Sequence, residues 1–133
     1  MTSELIYTGG LRTEAKHLQS GSIIITDAPT DNHGKGKKFS PTDLTATSLA
    51  ACMLTTMGIA ANTHTINIDG TKASVQKIMA AEPRRIAEIK VILNFPKNNY
   101  SEKEKTILKN TALKCPVAIS LHPDLKQDVT FNF

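Results

Sequence analysis

Tryptophan is absent, and only four phenylalanines and two tyrosines occur, so the expected core is aliphatic: Ile, Leu, Val, Met and Ala. There are two cysteines, Cys52 and Cys115, far apart in the chain, with no C-x-x-C and no paired histidine spacing. That excludes a disulfide-dense scaffold and a zinc module, and no metal or other cofactor is expected. No run of about 20 uninterrupted apolar residues occurs, so no membrane partner is expected. The first residues, Met1 to Tyr7, include Glu4 and lack a basic start with an apolar stretch, so they do not read as a secretory signal. A cytoplasmic protein is expected. The net charge is only +4, and the one dense basic run, Lys35, Lys37 and Lys38, is broken by Gly36. Basic residues spread this way, without aromatics beside them, argue against nucleic acid as a partner.

What is present reads as one soluble globular domain over residues 1–133, with 40% apolar and 21% charged residues. The N-terminal third predicts strands at Leu5 to Thr8, Leu11 to Leu18 and Ser22 to Thr26, the last carrying three consecutive isoleucines. Gly9-Gly10 and Ser20-Gly21 stand where the connecting turns belong. Asp27 to Phe39 predicts a loop, rich in Pro, Gly, Asn and Asp. Its Gly34-Lys35-Gly36-Lys37 lacks the spacing of a phosphate-binding loop.

Ser40 then signals a helix cap, Pro41 suits the first helical position, and Asp43 places a negative charge at the positive helix end. The body is expected to run to about Ala61. Leu49, Ala50, Met53, Leu54 and Met57 recur at helical spacing, and small residues cover the remaining sides, which predicts a helix buried nearly all round. Ala73 to Ala80 and Ile86 to Phe95 alternate as a hairpin. One face of the second strand carries Ala87, Ile89, Val91, Leu93 and Phe95; the other carries Glu88, Lys90 and Asn94. Ser101-Glu102-Lys103-Glu104 is a capping box. The helix it opens should stop near Cys115, before Pro116. A short third helix, Val117 to Leu121, and a final strand, Val129 to Phe133, follow.

The cysteines carry the possible chemistry. Most free cysteines behave as small buried apolar residues, and that reading stays open. Two thiols in a reducing compartment do not form a permanent staple. Cys52 lies in the middle of the apolar helix, too deep for the helix-end field, so as a nucleophile it needs a nearby cation: Arg12, Arg84, Arg85 or a lysine. Cys115 falls at the cap of the helix opened by Pro116, where unpaired N–H groups favour thiolate. His17, His33, His64 and His122 are scattered, each a turn or surface residue or a proton donor.

Ser40-Pro41-Thr42-Asp43-Leu44 with Leu49-Ala50-Ala51-Cys52 resembles the first cysteine motif of the OsmC/Ohr family. Cys115-Pro116-Val117 with His122-Pro123 resembles its second, and the order of elements is similar across nearly the whole chain. The stretch from Thr26 to Leu44 is most similar to the OsmC-like branch. The resemblance implies an α+β fold in which two central helices are wrapped by antiparallel sheets in an intertwined homodimer, with sites between subunits. It implies a thiol-dependent peroxidase for organic hydroperoxides. Cys52 is then the attacking thiolate, Cys115 the resolving thiol, and an external dithiol the reductant. It also implies an arginine from the N-terminal strands beside the thiolate, and Arg12 is the one arginine there. Better-known branches carry a glutamate ten residues before the first cysteine to pair with that arginine. This chain has Thr42 at that place, with Asp43 next to it as supporting residues. The alternative is a non-catalytic redox-sensing or apolar-ligand-binding protein on the same scaffold.

Overall fold

The computed structural model describes residues 1–133. Its elements run β1 (Ser3–Gly9), β2 (Arg12–His17), β3 (Ile23–Asp27), a single 3-10 turn (Thr30–Asn32), α1 (Pro41–His64), β4 (Lys72–Ala80), β5 (Arg85–Asn94), α2 (Glu102–Leu113), α3 (Pro116–Ser120) and β6 (Lys126–Asn132). The chain falls into two compact units, Met1–Thr45 and Ala46–Phe133.

The first unit is an antiparallel meander in the order β1-β2-β3. Gly9 and Gly10, at φ +88° and +60°, take the left-handed backbone that the β1–β2 turn requires, and the chain re-enters the ladder at Arg12. Leu5, Ala15 and Ile24 are cross-strand partners in one row, and Tyr7 lies on the same face. Leu5 is 65% exposed, Tyr7 63% and Ile24 51%. A three-stranded sheet this open buries too little apolar surface to be stable by itself.

The segment after β3 is folded back on itself. The Gly34 N–H donates to the Pro29 carbonyl at 2.9 Å, and the Gly36 N–H to the Ala28 carbonyl at 3.2 Å. A Cβ on Gly34 would lie 1.6 Å from the Ala28 carbonyl oxygen, so glycine is what lets the two backbone segments touch. Asp27, expected in this loop, is instead the last residue of β3, paired with Arg12 of β2.

In the second unit, β5 is central, antiparallel to β4 and parallel to β6. The alternation read from the sequence holds: Ile89, Val91 and Leu93 are fully buried, and Glu88, Lys90, Ile92 and Asn94 lie on the opposite face. Against the buried face pack Leu49, Met53 and Met57 of α1, Leu108 and Ala112 of α2, and Ala118 of α3. Each fully buried large side chain contributes roughly 1.5–3 kcal/mol relative to exposure. The core is not wholly aliphatic. Phe95 and Tyr100 are buried, with Phe131 and Phe133 packed against them; the Phe95 and Phe133 rings stack at 4.4 Å between centroids.

The capping box on α2 forms as expected. Ser101 Oγ accepts from the Glu104 N–H at 3.1 Å, and Glu104 accepts from the Ser101 N–H at 2.8 Å. α1 runs three residues past the expected end, to His64. By length and composition it is apolar enough to cross a bilayer, which the absence of an uninterrupted apolar run had argued against. Its buried residues are core residues, while Ile59 is 63% exposed. β6 begins earlier than expected because Lys126, Gln127 and Asp128, which lack alternation, pair with Glu88, Ile89 and Lys90.

Candidate thiol site

The second unit brings the two cysteines together. Cys52 is half-buried on α1 and packs against the core, and Cys115 is 1% exposed. The two side chains are neighbours in the core, close enough for each thiol to bear on the other, and both are free thiols. Cys115 is placed by the break between α2 and α3. Its N–H closes the end of α2 on the Ala112 carbonyl at 3.2 Å, and Pro116 at the first position of α3 forces it out of helical geometry. Its Sγ then caps α3, accepting from the Ala118 N–H at 3.4 Å.

That cap is the one read from the sequence, but its electrostatic consequence differs. Burial pushes the Cys115 thiol up from its ordinary value, the Ala118 N–H pulls it down, and the Cys52 thiol pushes it up again. Burial outweighs the helix end, because one turn of a five-residue helix offers few N–H groups and the surroundings exclude water. The cap therefore does not make Cys115 a stabilised thiolate.

In the first unit, Arg12 and Asp27 form a side-on fork. Arg12 Nε donates to Asp27 Oδ1 at 2.6 Å and Nη2 donates to Oδ2 at 2.9 Å. Asp27 is 1% exposed and the Arg12 side chain 32%. The hydrogen bond from Arg12 holds the Asp27 carboxyl below its ordinary range, against its burial, with help from the Lys37 backbone and the Lys35 charge. The same bond holds the Arg12 guanidinium above its ordinary value. Asp27 was missed in the sequence because Asp-Ala-Pro reads as a turn opening. The signal available was its place directly after the isoleucine run, in register with Arg12 across a short turn.

Asp43 caps α1. The Ser40 N–H donates to Asp43 Oδ2 at 2.9 Å and the Asp43 N–H to Ser40 Oγ at 3.0 Å. Thr42 Oγ1 lies 3.1 Å from Ser40 Oγ. Arg84 lies in the β4–β5 turn and Arg85 opens β5, its Nη1 donating to the Ala81 and Pro83 carbonyls at 3.1 and 2.9 Å. His17, the last residue of β2, bonds Ser20 Oγ, and His122, after α3, accepts from the Asp124 N–H. Two neighbouring thiols, one buried and one half-buried, can pass between dithiol and disulfide.

The family model described as OsmC-like protein matches residues 34–130. A crystal structure from Psychrobacter arcticus 273-4, provisionally named for osmotic stress induction and a detoxification response, is 55% identical. It covers 99% of this chain and 96% of its own, with a TM-score of 0.95. An OsmC-like protein from Mycoplasma pneumoniae is 22% identical at a TM-score of 0.81, covering 98% of this chain and 94% of its own. The organic hydroperoxide resistance protein OhrB of Bacillus subtilis is 17% identical at 0.72, covering 99% and 98%. The last two show a shared fold. No curated protein is matched by this sequence.

Proposed function

We propose, from the premise that this chain belongs to the OsmC-like protein family, that it is a thiol-dependent peroxidase reducing organic hydroperoxides in the cytoplasm. The observation that carries the reading is that Cys52 of α1 and Cys115 of the α2–α3 break are neighbouring free thiols. Cys52 acts as thiolate and attacks the terminal oxygen of the hydroperoxide. The S–O bond forms, the O–O bond breaks, and the alkoxide leaves as alcohol after taking a proton from water. Cys52 is then a sulfenic acid. The Cys115 thiol attacks that sulfur; the S–S bond forms, and the hydroxyl leaves with the thiol proton as water. An external dithiol reduces the disulfide and is itself oxidised.

Alkyl hydroperoxides suit the site better than hydrated ones, since Cys52 is half-buried against the apolar core. The open apolar face of β1-β2-β3 and the exposed Ile59 and Ile119 support a homodimer that covers them. The protein named for organic hydroperoxide resistance in Bacillus subtilis shares the fold and is consistent with this chemistry.

The test is a competition between peroxides. Reduced protein with a dithiol recycling system should consume cumene hydroperoxide faster than hydrogen peroxide, and a Cys52→Ser variant should consume neither. Equal turnover by the variant would remove the assignment.

A further inference from the structure

We propose that the chain binds a free aliphatic α-amino acid in a cavity that includes neither cysteine, at the end of the sheet where β5 and β6 begin. The two strands run parallel with Glu88 opposite Lys126. Residues 85–87 of β5 and residues 122–125, which lead into β6, therefore meet at one end of the sheet. There Arg85, Ile86, Ala87, His122, Asp124 and Leu125 line a cavity of about 360 Å³, within the size range of small-molecule sites.

The cavity has an apolar part and a charged part. Ile86 and Leu125 are half-buried and pack against the core, and Ala87 is half-buried beside them. The Arg85 guanidinium is held in place by its own turn, with Nη1 donating to the Ala81 and Pro83 carbonyls at 3.1 and 2.9 Å. Those bonds leave Nε–H and the Nη2 hydrogens without a partner in the chain. Nε–H and one Nη2–H form the edge whose parallel donors match the two oxygens of a carboxylate.

His122 and Asp124 are fixed by a second turn. The Leu125 N–H donates to the His122 carbonyl at 3.0 Å, and the Asp124 N–H donates to His122 Nδ1 at 3.1 Å. The ring proton is thereby placed on Nε2, a further donor at the cavity. The Asp124 carboxylate comes no nearer to a cation than 3.8 Å, at His122 Nδ1, and it forms no ion pair with Arg85.

One cation and one anion thus line the same cavity without neutralising each other. A ligand that carries both charges beside a short apolar chain satisfies all three features. Its carboxylate pairs with Arg85, its ammonium with Asp124, and its side chain covers Ile86, Ala87 and Leu125. A phosphate would meet the like charge of Asp124, a fatty acid would leave Asp124 unused, and an alkylamine would face Arg85. The inference does not rest on the peroxidase reading, and its test does not use that activity.

The experiment titrates isotope-labelled, reduced protein with L-leucine and follows the amide resonances of Ala87, Asp124 and Leu125. The shifts should saturate. N-acetylleucine lacks the ammonium and leucinamide lacks the carboxylate, and each should bind at least about tenfold more weakly than leucine. Arg85→Gln and Asp124→Asn should each weaken leucine by about tenfold or more. Arg85→Gln should not weaken leucinamide, and Asp124→Asn should not weaken N-acetylleucine.

No saturable shift up to about 10 mM leucine would mean that the two charges are only solvated, and the proposal falls. N-acetylleucine binding as tightly as leucine would make this a carboxylate site and refute the amino acid. Arg85 also braces its turn, so thermal melts accompany each variant. If Arg85→Gln shows no cooperative melt, the analogue series on the parent protein and the exposed Asp124→Asn variant decide.

Discussion

Serine at position 115 separates the resolving role of Cys115 from its packing role. Cys115 is 1% exposed, and its Sγ accepts from the Ala118 N–H at 3.4 Å. Burying a hydroxyl in place of the thiol costs roughly 1–3 kcal/mol when it is unpaired. Here it inherits the Ala118 donor, a hydrogen bond worth about 1 kcal/mol net, and serine is a strongly preferred helix cap. The balance is a destabilisation of about 1 kcal/mol, which for a chain of this size lowers the melting temperature by about 5 °C. The variant therefore folds, and its chemistry can be read. Mixed with equimolar cumene hydroperoxide and no reductant, the parent should lose both of its free thiols in one disulfide. Cys115→Ser should lose its single thiol and stop at a sulfenic acid on Cys52, trapped by dimedone and located by peptide mass. A folded variant whose Cys52 stays a free thiol under those conditions refutes the division of roles.

Leu108 is fully buried against β5, so Leu108→Ala should cost about 3 kcal/mol, seen as a lower urea midpoint; a change below about 1 kcal/mol would contradict the assigned core. Gly34→Ala must displace the Ala28 carbonyl that its Cβ would overlap at 1.6 Å, and faster proteolysis within residues 28–39 should follow. Asp27 titrates below its ordinary value of 3.8 when folded, so the folded state takes up its proton less readily than the unfolded one. Its stabilisation is full above 3.8 and is lost as the pH falls through the folded value. The denaturation advantage of the parent over Asp27→Asn should accordingly be constant near neutrality and shrink in acid; an advantage that persists in acid contradicts the pairing.

Much of this architecture was legible in local signals. Ser40-Pro41 and Ser101-Glu104 mark helix starts through chemistry confined to four residues, and both capping boxes form. The alternation of Ile89, Val91 and Leu93 against Lys90 and Ile92 reports a sheet with one covered face. What escaped notice depends on distant partners. Lys126 to Asp128 carry no strand signal of their own and become strand by pairing with Glu88 to Lys90. The aromatic cluster joins Phe95 and Tyr100 to Phe131 and Phe133, which come together only when β6 docks beside β5.

The site divides in the same way. Cys52 and Cys115 were singled out as a pair by resemblance, and their proximity is visible only in three dimensions. The cap at Cys115 was legible, because Pro116 dictates it; the upward push on its thiol was not, because burial is a property of the whole core. Asp27 was hidden by a turn-like tripeptide and revealed by its ladder partner.

The central claim is tested most directly by rapid mixing of fully reduced parent protein with one equivalent of cumene hydroperoxide, followed by acid quench, thiol counting and peptide mapping. The account predicts loss of both thiols far faster than free cysteine reacts, a single crosslink between the peptides holding Cys52 and Cys115, and neither event in Cys52→Ser. Thiol loss at the rate of free cysteine, with no such crosslink, would contradict it.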